Sequence, residues 1–392
     1  MPIVPMRIAP MRIAPMRIVV VGSGVIGLLT AGECVRAGAR VELVDQAGIP
    51  GPLATSNDRY RAVRALHRDD EALTLAASRG RQGWADLERM LGARFCLRTG
   101  ALTVMPEADV TASLVMLATA DTPARAVPAE ALAQRYPLLR LAAGDAAVFE
   151  PVAGMVLASE ALHALAGWLG EQPGVTLRPG HQVTAVGESG TVRLADGSVL
   201  RGDGVVIAAG PWSRDLLPAA VAGGLTLLRQ TMLTYAPSPA WPGMPVVLGL
   251  GPDRDAWLMP PAAGTPARLS AASACRAVPA MTGRAVPAPW RDHLTGLFTQ
   301  LLADFDPARV TGATDGYYLS DLTGPGPRLA GFGDGTVWAY PACGGMSFKF
   351  APLVARALAD RALGRPSRPA GLDFIDRPWP RQKERRHEAA RT

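Results

Sequence analysis

Lysine is rare in this chain, and one lysine stands where a bare surface charge is unexpected. The 392 residues include 40 lysines and arginines, of which only Lys349 and Lys383 are lysine. Lys349 lies in the glycine-rich, largely apolar run CGGMSFKF at residues 343–350. Because the chain otherwise supplies positive charge as arginine, a retained lysine suggests that a compact ammonium group is needed there. The alternative is a surface lysine that packs its stem and keeps its charge in water.

A second group of residues is suited to binding phosphates. Residues 18–21 (IVVV) are typical of a parallel strand buried on both faces, and they lead directly into GSGVIG. In such a unit the first glycine permits a tight turn, the second lets backbone N–H groups approach a pyrophosphate, and the third lets the helix pack on the strand. The helix N-terminus then faces the phosphates with its partial positive charge. The predicted contacts are Gly22, Ser23, Gly24, Val25, Ile26 and Gly27.

An acidic residue completes this dinucleotide motif. The helical pattern runs to about Ala37, and a second strand over residues 40–44 ends at Asp45, 18 residues past Gly27. The Asp45 carboxylate is predicted to accept hydrogen bonds from the adenosine ribose hydroxyls, and it disfavours a 2′-phosphate. NADP is therefore not expected, but the motif alone does not separate FAD from NAD.

Further elements and glycine turns follow. Residues 155–169 read as a helix, 175–177 and 182–186 as strands, and 195–198 as a hairpin turn. An apolar strand over residues 204–208 ends in the glycine turn 209–212, and a helix from about 351 to 363 follows the turn that holds Lys349. A helix N-terminus at that turn can stabilise the negative charge of a reduced flavin.

Composition and charge exclude several function classes. The net charge of +6 is concentrated in residues 1–17 and 377–392, so the body is nearly neutral and has no broad face for nucleic acid. The four cysteines have no paired or metal-ligand spacing, which favours reduced thiols in the cytoplasm and no metal site. After Arg17, residues 18–30 imitate a signal-peptide core, but the nucleotide motif explains them better, and no transmembrane run is expected. Residues 1–15, with their MRIAP repeat, and 377–392 are predicted to be disordered tails.

The order of the motifs IVVVGSGVIG, LVD, FEPVAG, VVIAAGPW and GGMSFKF resembles the monomeric sarcosine oxidase and N-methyltryptophan oxidase group of the D-amino-acid-oxidase-like FAD-dependent oxidoreductases. The resemblance covers nearly all of residues 16–365. It implies an α/β fold: a Rossmann-like FAD-binding domain and a second α+β substrate domain built on a mixed sheet. The FAD domain is predicted to comprise residues 16–90, 150–217 and 313–376, and the substrate domain residues 91–149 and 218–312.

The resemblance also implies roles for individual residues. Arg61 is placed near the isoalloxazine ring, and Arg64 and Lys349 are placed on the carboxylate of the substrate. Trp257 and Tyr318 are placed in the wall of the substrate pocket. From the residues alone, Arg61 and Arg64 would fit a solvated surface helix, and the two aromatics would fit a plain core. Further cofactor contacts are predicted at Ser56, Val183, Ala209, Gly210, Trp212, Gly344, Gly345, Met346, Ser347 and Lys349.

Three departures from the family pattern matter. The cysteine that anchors FAD covalently in the sarcosine oxidases is replaced by Gly316, so non-covalent FAD is predicted, with Cys343 as a packed thiol. The lysine credited with activating oxygen is matched by Arg268, a cation of another shape, which leaves oxidase and dehydrogenase activity both open. The histidine-bearing segment of the family reads Ser56-Asn57 here.

The predicted function is FAD-dependent oxidation of the C–N bond of a carboxylate-bearing primary or secondary amine to an imine, by hydride transfer to flavin N5. The substrate is expected to be a small amino or imino acid, larger than sarcosine or cyclic, perhaps in specialised metabolism. The electron acceptor is O2 or another oxidant. An FAD-dependent 2-hydroxy-acid oxidase or dehydrogenase, and a flavin-binding subunit without turnover, are the alternatives.

Overall fold

The structure, a computed structural model, describes residues 15–236, 241, 243–322, 328–341 and 344–365. Cys343 and the two predicted tails, apart from residue 15, lie outside the described residues.

The regular elements have the following bounds. The α-helices are α1 (Val25–Arg36), α2 (Glu71–Leu91), α3 (Val110–Thr119), α4 (Ala129–Arg135), α5 (Ala158–Gly170), α6 (Ala219–Ala222), α7 (Ala288–Leu301) and α8 (Ser347–Ala362). The strands are β1 (Arg17–Val21), β2 (Arg40–Val44), β3 (Arg61–Val63), β4 (Cys96–Leu97), β5 (Ala101–Pro106), β6 (Arg125–Val127), β7 (Asp145–Glu150), β8 (Gly154–Val156), β9 (Val175–Arg178), β10 (Val183–Gly187), β11 (Thr191–Leu194), β12 (Val199–Arg201), β13 (Gly204–Ile207), β14 (Leu225–Tyr235), β15 (Val246–Leu250), β16 (Ala256–Met259), β17 (Ala267–Ala271), β18 (Cys275–Ala277), β19 (Val310–Asp321), β20 (Ala330–Phe332) and β21 (Val337–Ala339). Short 3-10 helices occupy Glu107–Asp109, Gly210–Leu216, Ala272–Ala274 and Pro307–Arg309.

The first strand is the centre of a sheet whose order is β20-β21-β13-β1-β2-β9. β9, β2, β1, β13 and β21 are parallel, and only β20 runs antiparallel at one edge. Ile18 and Val20 pack into the core formed with α1, α2, α5 and α8, whereas Val19 and Val21 pack into a core on the opposite face. Because both faces of β1 are covered, an uninterrupted apolar sequence is required there.

A nine-stranded mixed sheet forms the second layer, in the order β18-β14-β17-β16-β15-β5-β7-β6, with β19 paired along β14. All neighbours are antiparallel except β15 and β5. One face of this sheet packs under α7, where Leu258 and Leu269 join Leu294 and Phe298 in a common core. Since side chains alternate along a strand, the intervening residues point to the opposite face. That face is directed at the site described below.

Helices α2 and α8 are packed unusually closely where Lys349 begins its helix. Trp84 of α2 stacks on Phe348 at 4.6 Å between ring centroids, and its Nε1 donates to the Phe348 carbonyl at 3.1 Å. A Cβ added to Gly80 of α2 would lie 2.2 Å from the Lys349 carbonyl oxygen. The absence of a side chain at Gly80 therefore lets α2 fix the backbone of Lys349.

The predicted elements of the nucleotide motif are confirmed: β1, α1 and β2 follow one another, and Gly38 has a positive φ of 88° just beyond α1. The predicted helix over 155–169 is wrong at its start. Val156 pairs with Arg61 and with Cys96 in a small three-stranded sheet, so the helix begins at Ala158. The predicted boundary at residue 313 falls inside β19, which pairs with β14 from Val310 to Asp321.

We predict that Gly80→Ala destabilises the protein, because its methyl group must displace the backbone of α8. Overpacking of this kind costs about 1–3 kcal/mol, and we expect a loss of at least about 2 kcal/mol in the free energy of unfolding. Gly167→Ala is the matched control, since Gly167 is an exposed helical residue of α5 with nothing within 4 Å of its added Cβ. That substitution should stabilise the helix by about 0.5–1 kcal/mol. Urea denaturation measures both, and equal effects of the two substitutions would contradict the close packing at Lys349.

Candidate functional site

A cavity of about 940 Å³ lies at the carboxyl ends of β1, β2 and β13 and against the free face of the mixed sheet. Ligands of open parallel sheets bind at these strand ends, and the volume is at the upper end of the range of about 300–1,000 Å³ for small-molecule sites. Most of the predicted site residues line it: Gly22, Ser23, Gly24, Val25, Ile26, Asp45, Ser56, Arg61, Arg64, Val183, Ala209, Gly210, Trp212, Trp257, Tyr318, Gly344, Gly345, Met346, Ser347 and Lys349. Gly27 and Arg268 do not line it.

The glycine turn has the conformation that the sequence motif requires. Gly22 has a φ of +98°, and a Cβ there would lie 2.6 Å from the Ala208 carbonyl oxygen. A Cβ on Gly27 would lie 1.8 Å from the Gly22 carbonyl oxygen, so Gly27 acts by close packing rather than by lining the cavity. The helix that follows has Gly24 as its N-cap and no side-chain cap. Its N-terminus therefore faces the cavity as a site for an anion.

Asp45 and Ser56 brace this turn from two sides. One Asp45 oxygen accepts from the Ser23 amide at 2.8 Å and from the Ser23 hydroxyl at 2.7 Å, and the other accepts from the Ala47 amide at 3.0 Å. The Ser56 hydroxyl accepts from the Val25 amide at 3.0 Å. Both side chains line the cavity. The predicted contact of Asp45 with ribose stays a prediction.

Arg61 and Arg64 emerge from β3 and its end, and both reach the cavity. Arg61 pairs with Asp58 at 3.3 Å and donates to the Thr55 carbonyl. Arg64 is different, because its Nε and Nη1 are buried and have no hydrogen-bond partner among the described residues. Burial lowers the pKa of Arg64, while the negative charge of Glu150 acts to raise it. Since arginine stays charged in proteins, this direction marks a cation that lacks solvation and would gain from an anion.

Glu150, at the end of β7, holds the chain next to Arg64. It is fully buried, and its two oxygens accept from the amides of Ala65 at 2.7 Å and Leu66 at 3.2 Å. Burial raises the pKa of Glu150, whereas these two amides and the charges of Arg64 and Lys349 act to lower it. Acceptance at both oxygens fits the ionised carboxylate. Glu150 thus ties the mixed sheet to the arginine segment.

Lys349 lies in the first turn of α8 and is 7% exposed. Its Nζ is 3.2 Å from Nε2 of His67 and 5.7 Å from the ring centroid of Phe350. Lys349 and Arg64 line the same cavity, and both act on the charge of Glu150. A buried ammonium and a buried guanidinium on one cavity form a site for a carboxylate.

Arg268 is not brought to the wall of the cavity. Its Nη1 pairs with Asp58, and its Nη2 lies 3.1 Å from the sulfur of Met232, which does line the cavity. Burial would raise the pKa of Asp58, but the charges of Arg61 and Arg268 outweigh this and hold it below its usual value. The predicted placement of a free cation facing the flavin is therefore corrected, because Asp58 engages that charge.

Trp257 and Tyr318 lie in the wall, as predicted, on strands β16 and β19. Trp257 stands beside Leu248 in the sheet register, and Leu248 stands beside Thr103. All three line the cavity, so the wall is mainly apolar. The Tyr318 hydroxyl is 3.2 Å from the sulfur of Cys275.

No cysteine of the described ranges lines the cavity. Gly316 does line it, and a Cβ there would lie 3.2 Å from Cγ2 of Thr55. Burial raises the pKa of the Cys34 and Cys96 thiols to about 12. In the same part of the chain, no cluster of three or more histidine, cysteine or acidic residues is placed to hold a metal ion. The described helices also include none that is long and apolar enough to cross a membrane.

Sequence reasoning missed four polar residues of the site: His67, Thr103, Glu150 and Arg254. Thr103 Oγ1 and Arg254 Nη1 are buried without a hydrogen-bond partner among the described residues, and both residues line the cavity. Their positions follow from pairings between distant strands, which no local pattern records. Only His67 carried a signal, as the last residue of the segment that also holds Arg61 and Arg64.

Comparison with known proteins fits this geometry. Residues 17–361 match the FAD dependent oxidoreductase family (DAO), and the chain belongs to that family. It is 27% identical over 215 residues to the peroxisomal sarcosine oxidase of Homo sapiens, covering 54% of each chain. It is also 27% identical over 202 residues to the peroxisomal sarcosine oxidase of Mus musculus, covering 50% of this chain and 51% of that one. The chain thus spans about half the length of the curated relatives it matches.

Solved structures share the fold over almost the whole chain. NikD, an unusual amino acid oxidase essential for nikkomycin biosynthesis, superposes with a TM-score of 0.74 at 20% identity, covering 92% of this chain and 97% of that chain. L-proline dehydrogenase from P. horikoshii gives a TM-score of 0.76 at 18% identity, with coverage of 92% and 97%. Fructosamine oxidase from Aspergillus fumigatus gives 0.72 at 17% identity, with coverage of 93% and 89%. These likenesses confirm the predicted fold class.

We predict that Gly22→Ala weakens FAD binding at least tenfold. A positive φ costs a non-glycine residue about 1–3 kcal/mol, and the methyl group also meets the Ala208 carbonyl, so the turn must move away from the phosphates. Quenching of FAD fluorescence during reconstitution measures the dissociation constant. Gly296→Ala, on the exposed side of α7 with nothing within 4 Å, is the control and should bind FAD as the wild type does. Unchanged affinity in Gly22→Ala would remove the phosphates from this turn.

Proposed function

We propose that this member of the FAD-dependent oxidoreductase family oxidises the C–N bond of an amine that carries a carboxylate. One observation carries the proposal. Arg64 presents two buried, unpartnered N–H groups, counted over the described residues, to the cavity that also holds the nucleotide turn and the Lys349 ammonium. Buried cations are stable only when an anion or hydrogen bonds compensate for lost solvation.

A substrate carboxylate supplies what these cations lack. The planar guanidinium of Arg64 offers parallel donors that match the two carboxylate oxygens, and Lys349 adds a point charge. Glu150 offsets only one of the two positive charges, and both of its oxygens are engaged by backbone amides. The cavity therefore favours a ligand with one negative charge.

The chemistry requires a neutral amine beside the oxidised carbon. FAD supplies the two-electron acceptor, so that hydride leaves this carbon for flavin N5 while the nitrogen lone pair forms the C=N bond of the imine. Two fixed cations and an apolar wall disfavour the ammonium form of a bound amine, which helps to present the reactive form. The role of the chain is to orient the substrate and to exclude water.

FAD would be held without a covalent bond. The supporting observations are the glycine turn at Gly22, the helix N-terminus at Gly24, and the glycine turn before α8. Gly316, at the position of the family's anchoring cysteine, carries no nucleophile. The other predicted cofactor contacts that line the cavity are kept as part of this proposal.

The substrate is proposed to be larger than sarcosine, or cyclic. Val246, Leu248, Trp257 and Met259 give the mixed-sheet wall an apolar surface, which suits a hydrocarbon or aromatic side chain. Relatives and structural neighbours named for sarcosine, L-proline and fructosamine are consistent with an amino or imino acid. The acceptor is O2 or another oxidant, and turnover in the cytoplasm is proposed from the unpaired cysteines.

We also propose a division into two domains. The parallel sheet with α1, α2, α5 and α8 forms the FAD domain, and the mixed sheet with α7 forms the substrate domain. Extensive pairing of β14 with β19 supports moving the last boundary from residue 313 to the end of β19 at Asp321.

Arg64→Ala should raise the dissociation constant of an amino-acid substrate by about 30-fold or more, since losing one partner of a buried charge pair costs at least about 2 kcal/mol. The measurement is anaerobic bleaching of the bound flavin by a panel of amino and imino acids. Matched amines without the carboxylate, and 2-hydroxy acids, belong in the panel. Arg89→Ala is the control, because Arg89 is an exposed residue paired with Asp86. Bleaching by Arg64→Ala at wild-type affinity would remove the carboxylate site, and bleaching by hydroxy acids alone would replace the amine.

Non-covalent cofactor predicts that acid precipitation of the purified holoprotein leaves the yellow chromophore in the supernatant. The reason is that no cysteine of the described ranges lines the cavity and that Gly316 occupies the family's anchoring position. Absorbance spectra of supernatant and resuspended pellet decide the matter. Yellow colour retained in the washed pellet would contradict the prediction.

A further inference from the structure

The contact between Lys349 and His67 is a polar pair that neither the nucleotide motif nor the carboxylate site explains. The Nζ and Nε2 atoms are 3.2 Å apart, and each residue is only 7% exposed. His67 also lines the cavity. A buried polar contact at this distance is costly to misplace, so it points to a defined arrangement of the two groups.

The backbone of His67 is fixed independently of its ring. Its amide donates to the Thr74 hydroxyl at 3.0 Å, and that hydroxyl lies 3.1 Å from the His67 carbonyl. The residue directly before it, Leu66, is held by Glu150. The ring lies 5.9 Å from that of Phe350, the residue that follows Lys349. Both sides of the pair are therefore anchored to rigid elements.

The chemistry of the pair determines the state of the ring. An ammonium has three donors and no acceptor, so His67 Nε2 must present a lone pair and the imidazole must be neutral. Lysine has a flexible four-carbon stem, and its charge needs a partner to be held at one place. Accepting one of the three donors leaves the others for a ligand.

We propose that His67 is a positioning residue, whose Nε2 lone pair holds the Lys349 ammonium in place so that Lys349 and Arg64 bind the same substrate carboxylate. This inference rests on the proposed function. It also explains why the partner is a histidine. An aspartate or glutamate at this place would neutralise Lys349 and compete with the substrate, whereas a neutral acceptor orients the ammonium and leaves its charge available.

Neighbouring charges do not replace this role. The Asp70 carboxylate caps α2 by accepting from the Leu73 amide at 2.9 Å, and Arg68 pairs with Asp109 at 3.3 Å. Glu150 is engaged by two backbone amides. These groups line or border the same region, but each has a contact that directs it elsewhere.

The test uses the FAD-loaded protein and two variants of one residue. His67→Gln keeps an acceptor near the position of Nε2, and His67→Leu removes it. The probes are cyclohexanecarboxylate and the uncharged cyclohexanecarboxamide, titrated by the change that they cause in the flavin spectrum. Hydrogen bonds to charged groups contribute about 1.5–3 kcal/mol, so we expect the leucine variant to bind the carboxylate at least about tenfold more weakly. Carboxamide affinity should stay unchanged, and the glutamine variant should bind the carboxylate within about threefold of the wild type.

A double-mutant cycle removes the effect of packing. In the Lys349→Met background, His67→Leu should cause no further loss of carboxylate affinity, because the ammonium that it positions is gone. If the leucine variant does not fold, His67→Phe, which keeps a ring and lacks the lone pair, takes its place. Equal losses for carboxylate and carboxamide, failure of the glutamine variant to rescue, or an undiminished effect in the Lys349→Met background would each overturn the proposal.

The wild-type titration separates the two levels of inference. A wild type that neither prefers carboxylate to carboxamide nor is bleached by any amino or imino acid contradicts the proposed function itself. A wild type that does both, together with a leucine variant that binds carboxylate equally well, contradicts only the role of His67.

Discussion

Two buried cations beside a single buried carboxylate impose the main physical constraint on this structure. Arg64 and Lys349 line the same cavity, and Glu150 is the acid that both charges act on. Such an arrangement is unfavourable in a protein interior unless every group is held and one charge awaits a ligand. Much of the surrounding structure serves this purpose: Glu150 fixes the chain after Arg64, Gly80 and Trp84 fix the start of α8, and His67 contacts the ammonium itself.

The two sheets bring this charged region and the nucleotide turn to one cavity. The parallel sheet directs the ends of β1, β2 and β13 toward it, and the mixed sheet contributes an apolar face from alternate residues of β15 and β16. One end of the cavity thus suits phosphates and the other suits an organic anion with an apolar body. The family match over residues 17–361 gives this combination its cofactor.

Local sequence predicted the parts of the site whose function depends on neighbouring residues. The turn at Gly22 and the acid at Asp45 follow from one strand–turn–helix–strand unit, and Lys349 was recognisable because lysine is otherwise almost absent. Arg268 could not be placed in this way, since its ion pair joins β17 to the loop before β3. Glu150 and His67 were missed for the same reason. Their partners are distant in sequence, and only the pairing of complete elements brings them together.

The most direct measurement is a crystal structure of the FAD-bound protein soaked with a small carboxylate that lacks an oxidisable amine. We expect its two oxygens within hydrogen-bond distance of the Arg64 guanidinium and the Lys349 ammonium, with the diphosphate of FAD at the turn that begins at Gly22. A carboxylate bound elsewhere, with the Arg64 nitrogens still without a partner, would contradict the central role of these two cations.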